Sequence, residues 1–231
     1  MSDWILAIDT STEACSCALG QGDRVYERYT DIPRKHAEKV LPMVEELLAE
    51  AAIERRDLGA IAFGRGPGAF TGLRIAASVV QGLAFALELP VIPVSSLQAL
   101  AQRGYREYQH NKTVAAIDAR MGEIYWCCFC LDSNGLMQPL SEEFLCPPSE
   151  MQTRDVTTSS GWHGVGTGWQ YQQVMPAPFC ELDNVHSGVF THALDVLALA
   201  MPRFHAGEGV AATDALPVYL RNKVTHQKPS G

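Results

Sequence analysis

The residues with the clearest capacity for chemistry form a glycine-rich segment, Gly64–Arg74, which holds four glycines and one proline. It lies between an apolar run and an uncharged stretch, which predicts a loop leading from a strand into a helix. With Thr71 as N-cap, the free N–H groups of the first helical turn suit an anion or a partner's acceptors. The alternative is a tight turn that serves packing alone. The spacing matches neither a Walker A loop nor G-x-G-x-x-G, so the segment alone does not predict nucleotide binding.

Two aspartates occupy matching positions, each at the end of an apolar segment and just before a hairpin. Asp9 follows Ala-Ile and leads to Glu13, and Asp118 follows Ala-Ile and leads to Glu123. Carboxylates at such strand tips could hold a metal–phosphate in a cleft between two halves of the chain. The alternative is an Asp that accepts hydrogen bonds from its own turn. The candidate nucleotide or phosphate contacts are Asp9, Thr10, Ser11, Asp118, Gly166 and Gly168.

The cysteines and histidines predict no metal site. The alternative set of cysteine ligands is Cys15, Cys17, Cys127 and Cys130. Structural zinc sites usually place ligand pairs on turns, whereas these cysteines fall in strand-like runs, so we expect them to be small core residues. The seven histidines contain no H-E-x-x-H or other close ligand pair.

The composition is typical of a globular protein with a substantial core. The 231 residues are 47% hydrophobic and 19% charged, which fits one large domain or two small ones. A net charge of −8 argues against a broad basic surface that binds nucleic acid without a partner. The longest uncharged stretch, Ile75–Leu87, is too short to span a bilayer, and the first residues do not resemble a signal peptide. We expect a cytoplasmic protein.

Hydrophobic periodicity predicts two successive units of strands and helices, which is an α/β pattern. The first unit holds predicted strands Trp4–Ile8, Cys15–Leu19, Val25–Tyr29, Gly59–Phe63 and Val91–Val94, and helices His36–Ala52, Thr71–Leu87 and one capped by Ser95 or Ser96. The second holds predicted strands Thr113–Ile117, Glu123–Leu131, Leu136–Leu145 and Trp162–Val165, and helix Phe190–His205. The repeated strand–Asp–hairpin opening predicts two related subdomains, 1–108 and 109–231. The 190–206 helix could pack back on the first lobe, and the tail from Thr225 is expected to fray.

Four segments resemble the TsaB (YeaZ) family. They are Asp9–Ser16, Gly66–Arg74, Ile117–Tyr125 and Pro217–Arg221, in the expected order across nearly the whole chain. The resemblance implies a two-lobed actin-like fold of the sugar kinase and heat-shock protein type. It also implies a role in forming N6-threonylcarbamoyladenosine in tRNAs that read ANN codons.

In that family the TsaB subunit is not the catalyst. The resemblance implies that TsaD transfers the threonylcarbamoyl group, that the ATPase TsaE joins them, and that the chain forms a homodimer when alone. It implies contact with tRNA only through the complex, no membrane, no cofactor of its own, and ATP or ADP only at the junction with partner subunits. TsaD-like proteins carry a His-x-x-x-His metal pair, and the corresponding residues here are Ser96 and Leu100. Leucine cannot bind a metal, so we expect neither a metal nor a catalytic residue in this chain.

Two helices are the expected docking surface for TsaD or for a second copy. Gly72 and Ala76 are four residues apart, as are Gly82 and Ala86, and this spacing lets helices approach closely. The expected interface residues are Val40, Val44, Leu47, Leu48, Phe70, Thr71, Leu73, Ala76 and Val80. The alternative is that these residues pack on the sheet of their own lobe.

Two rival functions remain. One follows from the two aspartates, and the other, a glycopeptidase or metallopeptidase, is a label that the wider family has sometimes carried. A stand-alone actin-like ATPase or small-molecule kinase would use Asp9 and Asp118 around a magnesium–nucleotide. A metallopeptidase would need metal ligands or a nucleophile–base pair, and the sequence displays neither.

Overall fold

The structure is a computed structural model that describes residues 2–32, 35–152, 160–182 and 184–221. The first lobe contains strands β1 (Trp4–Asp9), β2 (Ala14–Gln21), β3 (Arg24–Asp31), β4 (Leu58–Gly66) and β5 (Val91–Ser95), and helices α1 (His36–Ala51), α2 (Phe70–Leu87) and α3 (Ser96–Tyr108). The strand order is β3-β2-β1-β4-β5. The first three strands form an antiparallel meander, and β4 and β5 run parallel to β1.

The second lobe repeats this arrangement. It contains strands β6 (Lys112–Asp118), β7 (Ile124–Leu131), β8 (Met137–Pro139), β9 (Phe144–Cys146), β10 (His163–Gly166) and β11 (Val185–Ser187), followed by helix α4 (Ala193–His205). The strand order is β11-β10-β6-β7-β8, and β9 also pairs with β7. Strands β6 and β7 form a hairpin, and β10 and β11 run parallel to β6, as β4 and β5 do to β1. The matching topologies confirm a two-lobed α/β fold with two related subdomains.

One helix of each lobe packs on the sheet of the other lobe. Helices α1 and α2 cover the face of the first sheet to which Leu6 and Ile8 point, and α4 covers the face to which Ile5 and Ala7 point. This two-residue alternation is the pleat of a strand that is buried on both faces. Helix α3 follows the first sheet in the chain but packs on the second, through residues such as Leu97. Each lobe thus carries a helix that connects it to the other.

Several predicted boundaries need correction. Helix α2 begins at Phe70 with Ala69 as N-cap and no side-chain capping bond, so the prediction of Thr71 as the cap is wrong. The capping role of Ser95 is confirmed, since its Oγ accepts the Gln98 N–H at 3.1 Å. The single strand predicted over Leu136–Leu145 is two short strands, β8 and β9, both on β7. The tail from Thr225 lies outside the described residues.

Candidate functional site

A cleft of about 580 Å³ lies between the lobes. Its walls are the turn of the first hairpin (residues 11–13), the glycine loop with the start of α2 (68–71), the end of β6 and its turn (117–120), and the segment that carries Tyr219 and Arg221. The cleft is therefore where both predicted Asp-hairpins and the glycine loop come together. Of the six candidate phosphate contacts, Ser11 and Asp118 line it.

Asp9 is fully buried and faces its own turn instead of the cleft. Its Oδ1 accepts the Ser11 N–H at 3.0 Å and the Ser11 hydroxyl at 2.9 Å, and the Thr191 hydroxyl donates to the same oxygen. A Cβ at Gly64 would lie 2.0 Å from Oδ2, so the backbone of β4 closes the remaining side. Burial raises the pKa of Asp9, opposed by these hydrogen bonds. Asp9 therefore accepts hydrogen bonds from its own turn, which was the alternative to metal–phosphate binding.

Asp118 faces the cleft but is already paired. Its Oδ1 accepts the Arg120 N–H at 2.9 Å, and its Oδ2 lies 3.0 Å from the Arg120 guanidinium. The same guanidinium also pairs with Glu13 of the first hairpin. The positive charge of Arg120 therefore lies between two carboxylates, one from each lobe. Arg120 belongs to the family-like segment Ile117–Tyr125, but the sequence did not predict this double ion pair.

The glycines of the site serve close packing. A Cβ at Gly72 would lie 1.9 Å from the Thr10 carbonyl oxygen, and the Thr10 hydroxyl donates to the Gly72 carbonyl at 2.7 Å. A Cβ at Gly168 would lie 2.8 Å from that of Ala116, and Gly166 is equally enclosed against β6. Thr10, Gly166 and Gly168 are thus held against neighbouring backbone, and none of the three lines the cleft.

The C-terminal segment joins the glycine loop to the second lobe. The Val218 N–H donates to the Arg65 carbonyl at 2.7 Å, and the Tyr219 ring lies 5.3 Å from that of Phe70. Arg221 pairs with Glu123 at the start of β7. Pro217–Arg221, the last of the four segments that resemble the TsaB family, therefore links the two lobes beside the cleft.

The described cysteines and histidines do not assemble a metal centre. No group of three or more metal-binding side chains is present among the described residues. Burial raises the pKa of both Cys15 and Cys127 to about 11, as for thiols in an apolar core. The His110 and His163 rings, which the sequence did not bring together, stack at 4.0 Å, and burial lowers the pKa of His110 to about 4. The stacked pair belongs to no group of three or more metal-binding side chains among the described residues.

The structure places most of the expected interface residues inside the first lobe. Those that are buried in its core are Val40, Val44, Leu47, Leu48, Leu73, Ala76 and Val80. Phe70 and Thr71 are exposed. The helical spacing had selected the stripe that packs on the sheet, which was the alternative interpretation.

Helix α2 and the first turns of α1 expose several apolar side chains. Leu41 is 46% exposed, Phe70 44% and Phe85 75%, and a groove of about 410 Å³ runs from Ala37 along Phe70–Val79. We call this the α1–α2 face, and define it by Ala37, Leu41, Phe70, Ile75, Val79 and Phe85. By length and composition α2 could cross a bilayer, yet six of its eighteen residues are buried against the lobe. Twelve of the eighteen residues of this apolar helix are not buried, and exposed apolar surface of this kind is typical of an interaction site.

Comparison with known proteins finds closely similar sequences and structures. A family model described as TsaD, tRNA N6-adenosine threonylcarbamoyltransferase, matches residues 30–198. The tRNA threonylcarbamoyladenosine biosynthesis protein TsaB of Escherichia coli is 40% identical over 98% of both chains. A solved structure of YeaZ from Pseudomonas aeruginosa is 50% identical, covers 95% of this chain and all of its own, and superposes with a TM-score of 0.89. Another, titled as a protein with similarity to peptidase YEAZ from the same organism, is 50% identical, covers 96% of this chain and all of its own, and gives a TM-score of 0.90.

Proposed function

Because the chain belongs to the TsaB (YeaZ) family of tRNA threonylcarbamoyladenosine biosynthesis proteins, we propose that it is the non-catalytic subunit that binds and activates TsaD, together with TsaE. In this proposal TsaD makes the bond, and the chain contacts tRNA in the cytoplasm only through the complex. Without its partner the chain forms a homodimer through the same surface.

The observation that carries the proposal is the α1–α2 face. Its three large exposed side chains, Leu41, Phe70 and Phe85, lie on two helices that are otherwise anchored in one core. Three small residues on α2, Ser78, Gly82 and Ala86, are also exposed and lie four residues apart. A Cβ at Gly82 would meet nothing within 4 Å, so a partner helix can come close here. Exposed apolar side chains together with exposed small residues on one helix suit helix-to-helix docking.

A non-catalytic role is supported by the state of the two carboxylates. A kinase or ATPase would need both to face a magnesium–nucleotide, whereas Asp9 is enclosed by its own turn and Asp118 is already paired with Arg120. At the position of the TsaD metal pair, Ser96 is buried and its Oγ accepts the Gly66 N–H at 3.2 Å. We propose that the chain has no cofactor of its own and that any ATP or ADP binds at the junction with partner subunits.

The docking face is tested by Phe85→Asp, with Val174→Asp as the matched control. Val174 is a similarly exposed apolar residue, at 59%, in the second lobe. Both variants should fold as the parent does, because neither side chain is part of a core. Sedimentation with and without TsaD should show that Phe85→Asp loses the heterodimer and the homodimer, whereas Val174→Asp keeps both. Unchanged assembly of Phe85→Asp would exclude this face.

A further inference from the structure

Arg74 lies where the α1–α2 face meets the cleft. It lines the cleft together with Phe70 and Thr71, and the same three residues line the groove on the α1–α2 face. A partner seated in the groove therefore reaches the mouth of the cleft through Arg74. The two cavities adjoin at these three residues.

The guanidinium of Arg74 is held in place by neutral groups. Its carbon lies 3.8 Å from the centre of the Phe70 ring, and its Nε donates to the Tyr219 hydroxyl at 3.2 Å. Stacking and a hydrogen bond at Nε fix the plane of the group and leave the two terminal nitrogens directed elsewhere. An exposed arginine without such neighbours would lose conformational entropy on binding, and this one has already lost part of it.

The charges of the cleft single out the same residue. Arg120 is paired with Glu13 and Asp118, and Arg221 is paired with Glu123. The ion pairs found among the described residues include none for Arg74, although it lines the same cleft. Arg74 is therefore a cleft arginine with no ion pair found in the described part of the chain.

We infer that Arg74 is an anchor for the partner subunit and binds one carboxylate of TsaD at the junction of groove and cleft. This inference rests on the proposed function, since it names the polar contact at the edge of the apolar face. A single carboxylate matches the single charge of Arg74, and the terminal nitrogens of arginine suit its two oxygens. A polyphosphate would bring several negative charges close to Glu13 and Asp118 in the same cleft, which disfavours it. Phe70 and Tyr219 are positioning residues for the guanidinium.

The test compares the affinity of purified full-length variants for TsaD, in nucleotide-free buffer, at low and high salt. Arg74→Glu should weaken binding by at least about 30-fold and flatten its salt dependence. Arg74→Lys keeps the charge but not the planar fork, and should weaken binding about fivefold to tenfold. Tyr219→Phe should weaken it about twofold to threefold. Arg56→Glu makes the same charge change at an exposed arginine outside both cavities, and should leave the affinity unchanged.

The outcomes separate this inference from the proposal beneath it. If Phe85→Asp abolishes binding while Arg74→Glu stays within twofold of the parent, the anchor is refuted and the docking face stands. If neither variant changes the affinity, both are wrong. If Arg74→Glu weakens binding only when ATP or ADP is added, the anion is a phosphate and the carboxylate assignment is overturned. Rescue of Arg74→Glu by a single acidic-to-lysine change in TsaD would identify the paired residue.

Discussion

Two leucines on α1 provide the sharpest test of which helix surface docks. Leu41 is 46% exposed on the outer side, whereas Leu47 is fully buried among the side chains of the first sheet. The change to alanine is chemically identical at both positions, and both lie in the same sixteen-residue helix. Differences between the two variants therefore report the environment of each side chain and not the chemistry of the substitution.

The expected magnitudes follow from the area still available. Full burial of a leucine is worth about 1.5–3 kcal/mol, and nearly half of Leu41 remains to be covered, so Leu41→Ala should cost about 1 kcal/mol of binding. That corresponds to about a fivefold weaker complex with TsaD. The free energy of unfolding of the monomer, measured at a concentration where the homodimer dissociates, should change by less than about 0.5 kcal/mol. Leu47→Ala should instead lower the free energy of unfolding by about 2–5 kcal/mol, because it leaves a cavity.

The assay is urea unfolding of each variant alone, followed by titration of the folded variants with TsaD. The reasoning would be refuted if Leu41→Ala destabilised the isolated chain as much as Leu47→Ala does. It would also be refuted if both Leu41→Ala and Leu41→Asp bound TsaD with the affinity of the parent. In either case the outer side of α1 would not be the docking surface.

Further predictions concern stability. Burial raises the pKa of Asp195 from 3.8 to about 6 even though Arg106 holds it in two hydrogen bonds of 2.9 Å. The folded state then retains a proton that the unfolded chain releases, so the free energy of unfolding should fall by about 2 kcal/mol from pH 4 to pH 6, and Asp195→Asn should remove that slope in urea titrations. Gly72→Ala, with its Cβ 1.9 Å from the Thr10 carbonyl oxygen, should lower the melting temperature. Gly82→Ala, in open space on the same helix, should be neutral or stabilising by up to about 1 kcal/mol, and a lowered melting temperature there would contradict the placement of α2.

Local patterns predicted the elements of the fold because the signals that set them are local. Ser95 caps α3 through a residue three positions later, and the Asp-hairpin echo matches two sheets with the same strand order. The predicted start of α2 was one residue too late because threonine is a common N-cap residue. In the structure the backbone of the glycine loop places Ala69 at the N-cap position.

The site was harder to predict because its contacts are distant in sequence. Arg120 reaches Glu13 across 107 positions, and Arg74 meets Tyr219 across 145. Helical periodicity found the apolar stripe of α1 correctly but could not say that residues such as Val44 face the sheet, since an inner and an outer apolar stripe have the same period. Which stripe remains exposed is decided by tertiary packing.

The central claim is that this chain supplies a docking surface and leaves bond-making to its partner. The most direct measurement is the amount of threonylcarbamoyladenosine formed from tRNA and threonylcarbamoyl-adenylate by TsaD and TsaE, with and without the chain. We expect little product without it, full activity when it is added, none from the chain alone, and little from Phe85→Asp. Full product in the absence of the chain, or product formed by the chain by itself, would contradict the account.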